Sequence, residues 1–187
     1  MTERWRKEFE RSGFTVLASA EHDPQGGRPA PVPGFVASDF PGLVAGVADR
    51  CLGRRHAAAP LAPEAGERTA LLLVSPGGDQ ETARTIADLV DAGKRVSPLL
   101  FFQSVPNSIG GKVTSRWGIT GPLVCISPVD DPVDDASAQA ELMLATGEVD
   151  EVLVVLAELA GPGAESDQAV AVLLGPGGPE PRRHPNP

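Results

Sequence analysis

Residues 121–157 read GPLVCISPVDDPVDDASAQAELMLATGEVDEVLVVLA. The apolar run 122–127 suits a strand and ends abruptly at Pro128 and a pair of aspartates. Residues 134–146 then suit a helix, stopped by Gly147. A second apolar run, 150–157, suits another strand. Because such continuous runs belong to strands buried on both faces, they need a layer of helices on either side. The aspartates Asp130, Asp131, Asp134 and Asp135 sit where a helix N-terminus attracts carboxylates, which cap its free amides and complement its dipole. Capping is a better account of them than a metal cluster.

The same alternation extends outward from this stretch. Residues 69–75, TALLLVS, form another continuous apolar run. The helix that follows has Asp79 as its N-cap, Ala83, Ile86 and Val90 on one face, and Gly93 as its stop. Residues 105–117 read as a helix with Ile109, Val113 and Trp117 four apart, and 40–52 as a helix with Leu43, Val47 and Cys51 on one stripe. Residues 14–20 and 168–174 suit strands, 98–103 is an apolar run of open state, and the first ten residues suit a short amphipathic helix or a loose arm. Strand and helix alternate, and three strands are apolar throughout, so the expected class is α/β: a three-layer α-β-α domain over a mixed five-stranded sheet. Residues 21–34 and 56–67 read as loops, making 21–67 loop-rich. The domain is expected to run from 1 to 175, with 176–187 a disordered tail.

Composition narrows the function classes. The 187 residues carry a net charge of −9, which would repel phosphate backbones and excludes nucleic acid as an expected partner. No apolar run approaches the roughly 18 residues of a membrane span, and the charged start, MTERWRKEFE, is not a secretory signal, so a cytoplasmic protein off the membrane is expected. Cys51 and Cys125 are far apart with no C-x-x-C, and His22, His56 and His184 fall in loop-like or terminal stretches. Neither a metal site nor a bound cofactor is expected. The GGK at 110–112 lacks the rest of a phosphate loop, there is no G-x-G-x-x-G or G-x-S-x-G, and Asp79 already occupies the helix start after SPGG.

From 97 onward the chain resembles the N-terminal half of a β-ketoacyl synthase, the thiolase-fold condensing enzyme of fatty-acid and polyketide assembly. The matching features are Ser97-Pro98 before a short apolar run, Pro106-Asn107 opening a helix, Gly121-Pro122 starting a strand, Gly147-Glu148 after an Ala-rich helix, and the last strand at 167–174. The resemblance covers residues 69–175 well and 1–68 weakly and in shortened form. It implies half of a thiolase-like fold. It also implies a nucleophilic cysteine nine residues past the glycine of Gly-Pro, at a turn where a helix dipole and free amides activate it. Asp130 stands at that place. Cys125 falls four residues past Gly121, inside the strand, where an apolar setting keeps a thiol protonated. The second half of such enzymes brings the active-site histidines, and this chain ends after the first.

What the resemblance implies is therefore a chain-length-factor-like relative without the nucleophile, expected not to condense anything alone. It would act in polyketide or fatty-acid biosynthesis through a homodimer, a heteromer with a ketosynthase, or an acyl carrier protein. Leu123, Val124, Cys125 and Ile126 would form an edge strand that a partner covers. Phe101, Phe102, Asn107 and Trp117 would contact a partner or an acyl chain, with ordinary core packing the alternative for the aromatics. The competing reading is a small acyltransferase or thioesterase that uses Cys125 as nucleophile or Asp130 as base.

Overall fold

The computed structural model describes residues 2–160 and 166–178. Its helices are α1 (Thr2–Arg11), α2 (Phe40–His56), α3 (Pro63–Glu67), α4 (Gln80–Asp91), α5 (Pro98–Ser104), α6 (Pro106–Trp117) and α7 (Pro132–Ala145). Its strands are β1 (Thr15–Glu21), β2 (Thr69–Val74), β3 (Leu123–Ile126), β4 (Glu151–Glu158) and β5 (Gln168–Gly175). They form one mixed sheet in the order β1-β5-β4-β2-β3. β2 runs parallel to both β3 and β4, and β5 is antiparallel to β4 and β1.

The strand period of two sorts the apolar runs onto two faces. Leu71, Leu73, Leu153, Val155, Ala171 and Leu173 pack under α2 and α6 on one side. Ala70, Leu72, Val74, Val152, Val154 and Val172 pack under α1 and α7 on the other. The product is the expected three layers, with β2 buried at every position. The stripes Leu43–Val47–Cys51 and Ile109–Val113–Trp117 are both buried. A fully buried leucine in such a core contributes about 2–3 kcal/mol.

Three close approaches need glycine. A Cβ at Gly110 would meet the Leu123 side chain at 2.8 Å, so α6 lies directly on β3. A Cβ at Gly121 would meet the Thr69 carbonyl at 2.3 Å, and one at Gly66 would overlap the Gly118 carbonyl at 2.0 Å. These contacts fix the path into β3.

The run 98–103, left open by its sequence, is helical, because Ser97 caps it through the Leu99 N–H at 3.3 Å and Pro98 is tolerated in a first turn. Several other expectations need correction. Residues 56–67 are not all loop, since α3 occupies 63–67. The Ala83, Ile86 and Val90 face of α4 is not core: Ala83 and Val90 are exposed, and only Thr82 is buried. The reason is topological, since α4 leads into α5 and leans on it instead of returning to the sheet. His56 ends α2 rather than lying in a loop, and its Nε2 is 2.9 Å from Glu151, which Arg55 also holds at 3.1 Å. His184 and the tail residues 179–187 lie outside the described residues. Among the described residues, no helix is long and apolar enough to cross a membrane.

Candidate functional site at the edge strand and the α7 turn

β2 and β3 are parallel, and their C-terminal ends open into a cleft of about 430 Å³. Clefts at this end of parallel strands are where α/β sheets collect functional groups. Ser75, Gly77, Asp79, Asn107, Cys125 and Ser127 contribute to its wall. Asp79 is buried and wholly occupied as the α4 cap, accepting from the Thr82 N–H at 3.0 Å and the Thr82 hydroxyl at 2.8 Å. Ser127 donates to the Pro76 carbonyl at 2.9 Å, which ties the end of β3 to the end of β2.

Cys125 sits inside β3 opposite Leu73 and is half-buried. Burial pushes its thiol up from 9.0 to about 11. Among the described residues, no cation or helix start offsets that burial. Cys51, wholly buried on the inner face of α2, is pushed up to about 12, chiefly by burial. Both thiols are therefore protonated at neutral pH, the opposite of what nucleophilic catalysis requires.

The turn after β3 carries the carboxylates. Asp131, not Asp130, is the N-cap of α7: its carboxylate accepts from the Val133 N–H at 2.8 Å and the Asp134 N–H at 3.4 Å. Asp135 reaches back to accept from the Val129 N–H at 2.8 Å. Asp130 stands exposed one residue before the cap, so its expected capping role passes to its neighbour. The shift has a geometric cause. Pro132 occupies the first helical position, and the residue before it takes the extended conformation that a cap requires. Among the described residues, no group of three His, Cys, Asp or Glu side chains is placed to hold a metal.

The remaining candidates separate into two groups. Phe101 and Phe102 are 54% and 60% exposed on α5, beside exposed Leu99 and Val105, and Asn107 is exposed at the start of α6. Trp117 is 3% exposed, so it offers no area to a partner. It packs in the core between α6 and α2, and its Nε1 donates to Asp49 at 2.7 Å. Sequence reasoning missed Gln103, which is buried on α5, donates to the Gly34 carbonyl and accepts from the Val36 N–H at 3.4 Å. A glutamine inside an apolar run was the available signal.

β3 itself lies at the sheet edge. The Leu71 N–H donates to Pro122 and the Ser75 N–H to Ile126, so the even-numbered residues of β3 face β2. The N–H and C=O groups of Leu123 and Cys125 consequently point out of the sheet.

The family model for the β-ketoacyl synthase N-terminal domain matches residues 54–172. The chain belongs to this family. No curated protein matches the sequence. Among solved structures, it is similar to a ketosynthase in complex with its chain length factor from Xenorhabdus doucetiae, at 19% identity and a TM-score of 0.65, covering 88% of this chain and 79% of that one. It is similar to a β-ketoacyl synthase from Burkholderia phymatum, at 16% identity and a TM-score of 0.61, covering 91% of this chain and 54% of that one. A third similar structure is a type II polyketide synthase acyl carrier protein in complex with its ketosynthase bound to the hexaketide, at 12% identity and a TM-score of 0.58, covering 93% of this chain and 58% of that one. This chain thus spans little more than half the length of the latter two. At these identities the likeness shows a shared fold, the thiolase-like ketosynthase fold expected from residues 97–157.

Proposed function

We propose that this chain is a non-catalytic, chain-length-factor-like accessory protein of polyketide or fatty-acid biosynthesis, working by association with itself, a ketosynthase or an acyl carrier protein. One observation carries the reading. The position that family resemblance assigns to the nucleophile is Asp130, an exposed carboxylate at the start of α7, while the nearby thiol of Cys125 is held protonated inside β3. A carboxylate there forms no thioester by exchange, and a thiol with a value of about 11 is a poor replacement. This weighs against the acyltransferase or thioesterase reading in the form that uses Cys125 as nucleophile.

Two further features support association. β3 presents unpaired backbone groups at Leu123 and Cys125, a template for strand addition. Phe101, Phe102, Leu99 and Val105 expose a contiguous stretch of apolar surface on and just after α5, as an interface core does.

Co-purification with a candidate type II ketosynthase tests the proposal. The expected result is co-elution at micromolar concentration, lost on Cys125→Pro. That change removes an outward-facing donor without costing a bond to β2. Separate elution of the two wild-type chains, or an acyl-thioester trapped on this chain alone, would overturn it.

A further inference from the structure

The two edges of the sheet are built differently. At β1, the His22 N–H donates to the Ala169 carbonyl at 2.8 Å. Antiparallel pairs alternate between residues that exchange both backbone bonds and residues that turn both groups away. With Ser19 opposite Val172 and Glu21 opposite Val170, the alternation turns the backbone groups of Ser19 and Glu21 outward.

Both of those outward carbonyls are already taken. The Arg50 guanidinium donates to the Glu21 carbonyl at 3.0 Å, and Arg54 donates to the Ser19 carbonyl. The match is one of pitch. Residues two apart on a strand are about 6.8 Å apart. Residues four apart on a helix rise about 6 Å. Two arginines one turn apart on α2 therefore align with two successive outward carbonyls of β1. At β3 nothing comparable occurs: among the described residues, the nearby side-chain bond from Ser127 goes to Pro76 and leaves the Leu123 and Cys125 carbonyls untouched.

We propose that Arg50 and Arg54 close the β1 edge against strand addition, so that another chain joins this sheet only at β3 and association stops at a closed pair. A sheet with two receptive edges would present a fresh edge after each addition and grow without limit. The clamp occupies the acceptors that a second copy's β1 would need, and places two cations along the edge. The inference deepens the proposed function, resting on β3 as the accepting edge.

The test is the mass of the full chain by light scattering across a wide concentration range, wild type against Arg50→Met/Arg54→Met. The expected result is a variant whose mass rises with concentration to roughly twice the wild-type value or more as freed β1 edges pair. A folded double variant with wild-type mass at every concentration overturns the proposal. Should the double variant fail to fold, the single variants Arg50→Met and Arg54→Met each keep half of the clamp and are expected to show a partial rise. If these also unfold, or keep the wild-type mass, the arginines hold the fold and do not guard its edge. The proposed function fails by a different result, the absence of ketosynthase binding by the wild-type chain, which the mass of the arginine variants does not affect.

Discussion

Alkylation of Cys125 in the native protein discriminates a buried strand thiol from a nucleophile. Burial moves the thiol from 9.0 to about 11, two pKa units, so the thiolate present at neutral pH falls about 100-fold. A more basic thiolate is intrinsically more reactive. With a Brønsted slope of about 0.4–0.5, two units return roughly six- to tenfold. The net expectation is labelling about tenfold or more slower than a small free thiol, with steric cover slowing it further. The rate should climb about tenfold per pH unit up to about pH 10. Intact-mass measurement of iodoacetamide labelling at several pH values gives the rate. Cys125→Ser removes the native-state signal, and a denatured sample supplies the unburied reference. A native rate at neutral pH equal to or above that of the free thiol, with a plateau below pH 9, would refute the argument, because only an activated thiolate behaves that way.

Three other outcomes follow from the same contacts. Asp131→Ala should cost about 1 kcal/mol in chemical denaturation through loss of the α7 cap, while Asp130→Ala should change stability by less than about 0.5 kcal/mol. Trp117→Phe should destabilise by about 1 kcal/mol, because it deletes the bond to Asp49. It should leave ketosynthase co-elution unchanged, because the indole is in the core. Cys51 gives an alkaline limb: the unfolded thiol ionises near 9.0 while the folded one keeps its proton to about 12, so stability falls as pH rises through that window. Urea unfolding of Cys51→Ala, compared with wild type at pH 8 and at pH 10, should show a smaller loss on raising the pH.

The sheet and its two helical layers were legible because the relevant runs are apolar at every position. TALLLV and VLVVL have nowhere to go but the middle of three layers, and Leu43–Val47–Cys51 has a clear helical period. The α4 face was misread because periodicity reports amphipathicity, not what lies against it. Ile86 and Val90 have helical spacing whether they meet a core or open surface. Trp117 was ambiguous for the same reason, and only the position of Asp49 on the neighbouring helix shows why the indole can be buried. In the acidic turn, the carboxylates were rightly read as serving a helix start. Which one caps it depends on the single residue that precedes Pro132. The two halves of the arginine clamp are four apart in sequence, but their acceptors lie 35 and 29 residues away on a strand edge, and no local pattern marks that pairing.

The turn after β3 is closed by its own side chains. The amides of Val129, Val133 and Asp134 are committed to the carboxylates of Asp135 and Asp131, which fill the space with fixed negative charge. A developing oxyanion brought to this spot would find its donors spoken for and two like charges beside them. A cysteine placed at position 130 would bring a sulfur to this turn without the free amides that activate one.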